Sequence, residues 1–101
     1  MVFTDSQKEN IKRELKEVLS PEHEITKIVI FGSFINLNNP HDIDIAVFQD
    51  SNQKYLPLSL KDRSLTRKIA RKLAIDIIPI KANANNTFIS EIESGEIIYE
   101  R

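Results

Sequence analysis

Asp42 and Asp44 stand two residues apart in the run Asp42-Ile43-Asp44-Ile45-Ala46-Val47-Phe48. The run alternates, which is the period of a β-strand. Side chains of successive strand residues point to opposite faces. The two carboxylates therefore share one face, and Ile43, Ile45 and Val47 the other. Their Cα atoms lie about 6.6 Å apart, at a rise of about 3.3 Å per residue. Carboxylates this close repel each other unless a positive group sits between them. A hard divalent cation with oxygen ligands does that, and Mg²⁺ is the natural candidate. Asp44 is the more telling of the two, because a carboxylate inside an apolar strand is costly without a partner.

Upstream, Gly32-Ser33 follows Ile28-Val29-Ile30-Phe31, an apolar, β-branched run that reads as a buried strand. Glycine has no Cβ, so the chain can turn sharply and a ligand can approach the backbone. Ser33 can cap a short helix or hydrogen-bond a phosphate oxygen. Residues 36–41 form a polar loop leading to Asp42. Downstream, Ala74-Ile75-Asp76-Ile77-Ile78-Pro79-Ile80 is a third apolar strand interrupted by one carboxylate. Asp76 could be a lone strand aspartate paired to an arginine. Two apolar strands that both carry inward carboxylates are better explained by one shared metal site. Pro79 cannot donate to a ladder, so the far end of this strand belongs at an edge or bulge.

These residues need a scaffold. Residues 4–19 predict a helix: Thr4 and Gln7 have capping-box spacing, and Ile11, Leu15, Val18 and Leu19 make one apolar stripe. Ser20-Pro21 ends it. Residues 58–73 predict a second helix, with Leu58, Leu65, Ile69 and Leu73 at helical spacing. Lys61, Arg63, Arg67, Lys68, Arg71 and Lys72 make that helix basic, which suits a solvated face or a surface reaching a triphosphate or an acidic partner. Thr87 to Ser94 predicts a short helix with Gly95 as its C′ glycine. Glu96 to Glu100 reads as an extended tail, with Tyr99 a packing residue. His23 falls in a solvated linker, and His41 in the loop beside Asp42 without a catalytic role.

The 101 residues are read as one domain, 1–101, large enough for one modest core. With 41% hydrophobic and 29% charged residues, the composition is that of an ordinary globular protein rather than a disordered or membrane chain. A net charge of −1 leaves no electrostatic footprint for nucleic acid. The absence of cysteine excludes disulfides and a thiolate metal site. With no signal-peptide pattern and no long apolar run, a cytoplasmic location away from membranes is expected.

The order of strand, Gly32-Ser33, short helix, loop and Asp42-Ile43-Asp44, with Asp76 on a later strand, resembles the nucleotidyltransferase superfamily that includes DNA polymerase beta. Within it, the chain is most similar to the minimal nucleotidyltransferases, from about Ile28 to the terminus. The stretch from Ser33 to Asp42 is shorter than usual there, and Asn36 stands where an arginine is common. The resemblance implies an α/β (α+β) nucleotidyltransferase fold. In it a small mixed sheet of Ile28–Phe31, Asp42–Phe48 and Ile75–Ile80 has helices 4–19 and 58–73 packed on one face. It implies that Asp42, Asp44 and Asp76 are catalytic and hold Mg²⁺, with Asp76 also able to take the acceptor's proton. Gly32 and Ser33 would cradle the phosphates of ATP. It further implies transfer of AMP to a hydroxyl, a tyrosine, of a helical HEPN-type toxin, with this chain as its antitoxin in a homo- or hetero-oligomer. An antitoxin acting by binding alone and an enzyme with a small-molecule acceptor remain alternatives.

Overall fold

Thr4 caps the first helix. Its side chain accepts a hydrogen bond from the Gln7 backbone, and the Gln7 side chain accepts one from the Thr4 backbone. A cap of this kind contributes about 1 kcal/mol. In the computed structural model, which describes residues 2–50, 61–71, 73–81, 92 and 94–101, this helix, α1, spans Asp5–Leu19. Its stripe of Ile11, Leu15 and Leu19 is buried. Burying a side chain of this size contributes about 1.5–3 kcal/mol.

Strand β1 spans Ile25–Phe31, starting earlier than the apolar run that signals it. Ile25 is itself fully buried and pairs with Gln49, and an irregularity between Ile25 and Lys27 absorbs Thr26. A short helix, α2, follows over Ser33–Asn36, with Gly32 rather than Ser33 at its N-cap. Strand β2 spans Asp42–Gln49 and pairs antiparallel with β1.

The expected helix over 58–73 is not continuous. Residues 58–60 and Lys72 lie outside the described residues. Residues 61–65 are helical, Thr66 is a turn with φ −99° and ψ 9°, and a short helix α3 covers Arg67–Ala70. The Thr66 hydroxyl donates to the carbonyls of Asp62, at 2.9 Å, and Arg63, at 3.4 Å. Such back-bonding by threonine bends helices. Lys61 ties this layer to the approach of β1 through ion pairs with Glu22, at 3.6 Å, and Glu24.

Strand β3, Ala74–Lys81, runs parallel to β2. It is an edge strand, which is where its Pro79 can be tolerated. The closing segment is more than a tail: Glu96–Glu100 forms β4, antiparallel to β1. The sheet order is β3-β2-β1-β4. The expected helix from Thr87 to Ser94 falls mostly outside the described residues; Ile92 is helical. Gly95 does not take the left-handed conformation expected of a C′ glycine, since Gly32 is the glycine with positive φ. What Gly95 needs is room. A Cβ there would collide with the Ile30 carbonyl oxygen and stand 2.8 Å from Cβ of Phe31.

Both faces of the sheet are apolar. One carries Ile28, Ile30, Ile43, Ile45, Val47 and Ile77, covered by α1 and by Ile69 of α3. The other carries Val29, Phe31, Ala46 and Ile80 with Ile92. Tyr99 packs against the first cluster. Lys12 joins α1 to β4 through Glu96 at 2.8 Å and also bonds Glu9 at 3.0 Å. Among the described residues, no helix is long and apolar enough to cross a membrane.

Candidate active site

Strand register brings the carboxylates together. Parallel pairing of β2 with β3 sets Asp44 beside Asp76 and Asp42 beside Ala74. Antiparallel pairing of β1 with β2 sets Phe31 beside Asp44. The end of the sheet where β1 leaves and β2 and β3 enter is therefore lined with acid. Alternation places Asp42, Asp44 and Asp76 on the face opposite α1, in line with Phe31, Ala46 and Ile78. One oxygen from each of the three carboxylates lies within 4.8 Å of the others.

Their surroundings differ. Asp42 and Asp44 are half-buried, and Asp76 is exposed rather than inward-facing. The reason is its position near the entry end of an edge strand, where neighbouring Ala74 is exposed too. Such a graded site is closed on the β2 side and open on the β3 side.

The turn after β1 presses against the same carboxylates. Gly32 has φ 78° and ψ −148°. A Cβ at that position would stand 2.6 Å from Oδ2 of Asp44. Only glycine allows the backbone this close. The Ser33 hydroxyl donates to Oδ1 of Asp42 over a long 3.5 Å. Gly32 and Ser33 thus stand against Asp44 and Asp42 respectively, one residue of the turn to each carboxylate of β2.

An all-carboxylate donor set with its oxygens this close suits a hard divalent cation, and Asp42, Asp44 and Asp76 are the residues that could hold it. His41 is exposed and precedes Asp42. His23 is exposed as well, and its carbonyl accepts a hydrogen bond from the Arg101 guanidinium. Of the basic residues on the helical layer, Arg63, Arg67, Lys68 and Arg71 are exposed and Lys61 is engaged in ion pairs.

One buried polar pair escapes a reading by residue type. Gln49 Nε2 donates to both oxygens of Asp62, at 2.9 and 3.0 Å, with Gln49 2% and Asp62 0% exposed. Gln49 Oε1 has no hydrogen-bond partner among the described residues. Burial pushes the Asp62 carboxyl up to about 6, against the opposing effect of the Gln49 bond. Asp62 sits seven residues before Ile69, on the same helical stripe, and that spacing was the available signal.

Residues 13–101 match the family described as Polymerase beta, Nucleotidyltransferase. No curated protein matches the chain. Solved structures share its fold. One is a tri-AMPylated Shewanella oneidensis HEPN toxin in complex with MNT antitoxin, with a TM-score of 0.59 and 19% identity, over 93% of this chain and 73% of the matched one. The MntA-HepT toxin-antitoxin gives a TM-score of 0.58 at 18% identity, over 92% and 73%. A toxin-antitoxin structure with AMP-PNP gives 0.60 at 19% identity, over 89% and 73%.

Proposed function

The chain belongs to the polymerase beta nucleotidyltransferase family, and on that premise we propose that it transfers AMP from ATP to a hydroxyl group of a helical, HEPN-type protein partner. The observation that carries this reading is the convergence of Asp42, Asp44 and Asp76 against the Gly32-Ser33 turn. The kinship of fold with MNT–HEPN complexes, one holding AMPylated toxin and another AMP-PNP, supports the choice of nucleotide and partner.

In this mechanism the acceptor oxygen forms a bond to the α-phosphorus as the bond to the bridging oxygen breaks and pyrophosphate leaves. Asp42 and Asp44, half-buried on the closed side of the site, would hold the cation that meets the triphosphate. Gly32, packed against Asp44 where no side chain would fit, would present its backbone to the phosphates, and the Ser33 hydroxyl would add one donor. Asp76, on the open side, meets the acceptor and takes the hydroxyl proton. Asp42, Asp44 and Asp76 would hold Mg²⁺, which would supply positive charge to the triphosphate and acidify the acceptor hydroxyl. An exposed Asp76 matters here, because a protein acceptor must reach it without a tunnel.

The test pairs the chain with its helical partner, ATP and Mg²⁺, followed by intact mass of the partner. Added AMP units, lost with Asp42→Ala combined with Asp44→Ala, are the expected result. Neutralisation of the partner that survives the double substitution, with no added mass in the wild type, identifies an antitoxin that acts by binding alone. Transfer to a small molecule, with the partner unmodified, identifies the third alternative.

A further inference from the structure

The stretch between Ser33 and Asp42 is short, and its geometry is set from outside. Lys8 on α1 donates to the Leu37 carbonyl at 2.6 Å. Its ammonium also lies 5.5 Å from the ring centroid of Phe34 in α2. Just ahead of α1, the Phe3 backbone N–H donates to the Asn38 carbonyl at 2.8 Å. The Phe3 ring meets Phe34 edge-on, with centroids 6.4 Å apart. Phe34 is fully buried. Four contacts therefore run from residues 3–8 to residues 34–38, and all of them land on α2 or the loop that leaves it.

This matters for the site because α2 is only one turn long. A helix of this length does not hold itself together; its nucleus is costly and its stability comes from packing. Its own bonds are three: Ile35 and Asn36 donate to Gly32, and Leu37 donates to Ser33. Gly32 at the N-cap has no side chain with which to cap it. The C-terminal end of α2 is where the Lys8 ammonium sits, on the Leu37 carbonyl, and a cation there also favours the helix dipole. Lys8 is half-buried along its stem, and its bond to the Leu37 carbonyl is made at the exposed surface.

We infer that Lys8 is a positioning residue: through Leu37 and Phe34 it clamps α2, and so sets where Gly32 and Ser33 stand relative to Asp42 and Asp44. The inference rests on the nucleotide-binding reading for its kinetic consequence, but the clamp is measurable without it. Lys8 touches none of the carboxylates and acts only through α2. Loss of the ammonium loosens the turn that presents backbone and hydroxyl to the triphosphate. Because those contacts serve ground-state binding, the loss appears mainly in KM for ATP rather than in kcat.

The experiment compares wild type, Lys8→Met and Lys8→Arg. Methionine keeps the apolar stem and removes the charge and the donors; arginine restores both. Amide hydrogen exchange is the primary readout. The Asn36 and Leu37 amides should exchange about tenfold faster in Lys8→Met, the size expected for loss of one charge-assisted bond, while α1 and β1 are unchanged. Arginine should return them to wild-type rates. In the transfer assay, KM for ATP should rise about tenfold in Lys8→Met with kcat within about threefold, again restored by arginine. Unchanged exchange at Asn36 and Leu37 overturns the clamp whatever the catalytic result. A uniform rise in exchange across the sheet also overturns it, since that reports global stability. Faster local exchange with unchanged KM in an active wild type overturns the positioning role. If wild-type protein uses no ATP, the functional reading fails and the exchange data still decide the clamp.

Discussion

A Cβ on residue 32 would stand 2.6 Å from Oδ2 of Asp44, with the backbone at φ 78° and ψ −148°. The Gly32-Ser33 turn and the Asp44 carboxylate thus occupy neighbouring space with nothing to spare. Gly32→Ala meets two penalties at once. The backbone conformation is all but closed to residues with a Cβ, at a cost of order 1–3 kcal/mol. The methyl group also displaces the Asp44 carboxylate. Thermal melts should show a loss of stability, and Mn²⁺ titration should show weakened binding by at least about tenfold. A variant that melts like wild type and binds the ion equally well contradicts the tight relation between the turn and Asp44.

The buried Gln49–Asp62 pair predicts an unusual pH dependence. The Asp62 carboxyl is raised from 3.8 to about 6 by burial. Between those values the folded protein keeps the proton and the unfolded chain has lost it. Raising pH through this window therefore favours unfolding, the reverse of a salt-bridged aspartate. The penalty is complete above about pH 6 and amounts to about 3 kcal/mol, at about 1.4 kcal/mol per pH unit. Asp62→Asn keeps the shape and the amide contact but has no proton to lose. Urea denaturation at pH 4.5 and pH 7.5 checks it. The stability difference between variant and wild type should move in the variant's favour at the higher pH, by about 2 kcal/mol, the part of the window that lies above pH 4.5. A difference independent of pH contradicts the assignment.

Much of this architecture was legible because chemistry and period agree. Asp42 to Phe48 alternates, and register alone then fixes which face its carboxylates take. Thr4 with Gln7 starts α1 where capping logic places it. The misses have physical causes. Thr66 breaks a helix whose apolar spacing is continuous, because the break comes from a hydroxyl bonding back to Asp62 and Arg63, which periodicity does not register. Asp62 hides among basic neighbours although it lies on the buried stripe. Strand β4 reads as a tail because an edge strand is half exposed, with Ile97 52% accessible, so it lacks the signature of a core strand. Asp76 was expected inward because its strand is apolar; its place at the entry end of the edge leaves it open to solvent.

Gly95 is predicted to be as intolerant as Gly32, for a different reason. It has no left-handed backbone to explain its glycine. Its Cα lies against β1, where an added methyl would meet the Ile30 carbonyl, Cβ of Phe31 at 2.8 Å and Cγ1 of Val29 at 3.0 Å. Backbone cannot swing aside as a side-chain tip can. Overpacking of this kind costs about 1–3 kcal/mol. For a domain of this size Gly95→Ala should lower Tm by roughly 5–20 °C. Calorimetry of the variant checks it, and an unchanged Tm contradicts the packing of Gly95 on β1.

The most direct measurement of the central claim is metal-dependent nucleotide binding by wild type and Asp44→Asn. A ligand that binds only the folded state raises its stability by mass action. With AMP-PNP and Mn²⁺ together, the wild-type Tm should rise. With either alone, or with both in Asp44→Asn, the rise should be lost, because one carboxylate of the three is then an amide that cannot balance the ion's charge. Equal stabilisation of Asp44→Asn and wild type, or stabilisation by nucleotide that needs no metal, contradicts the assignment of Asp42, Asp44 and Asp76 as the metal-holding centre of a nucleotidyltransferase.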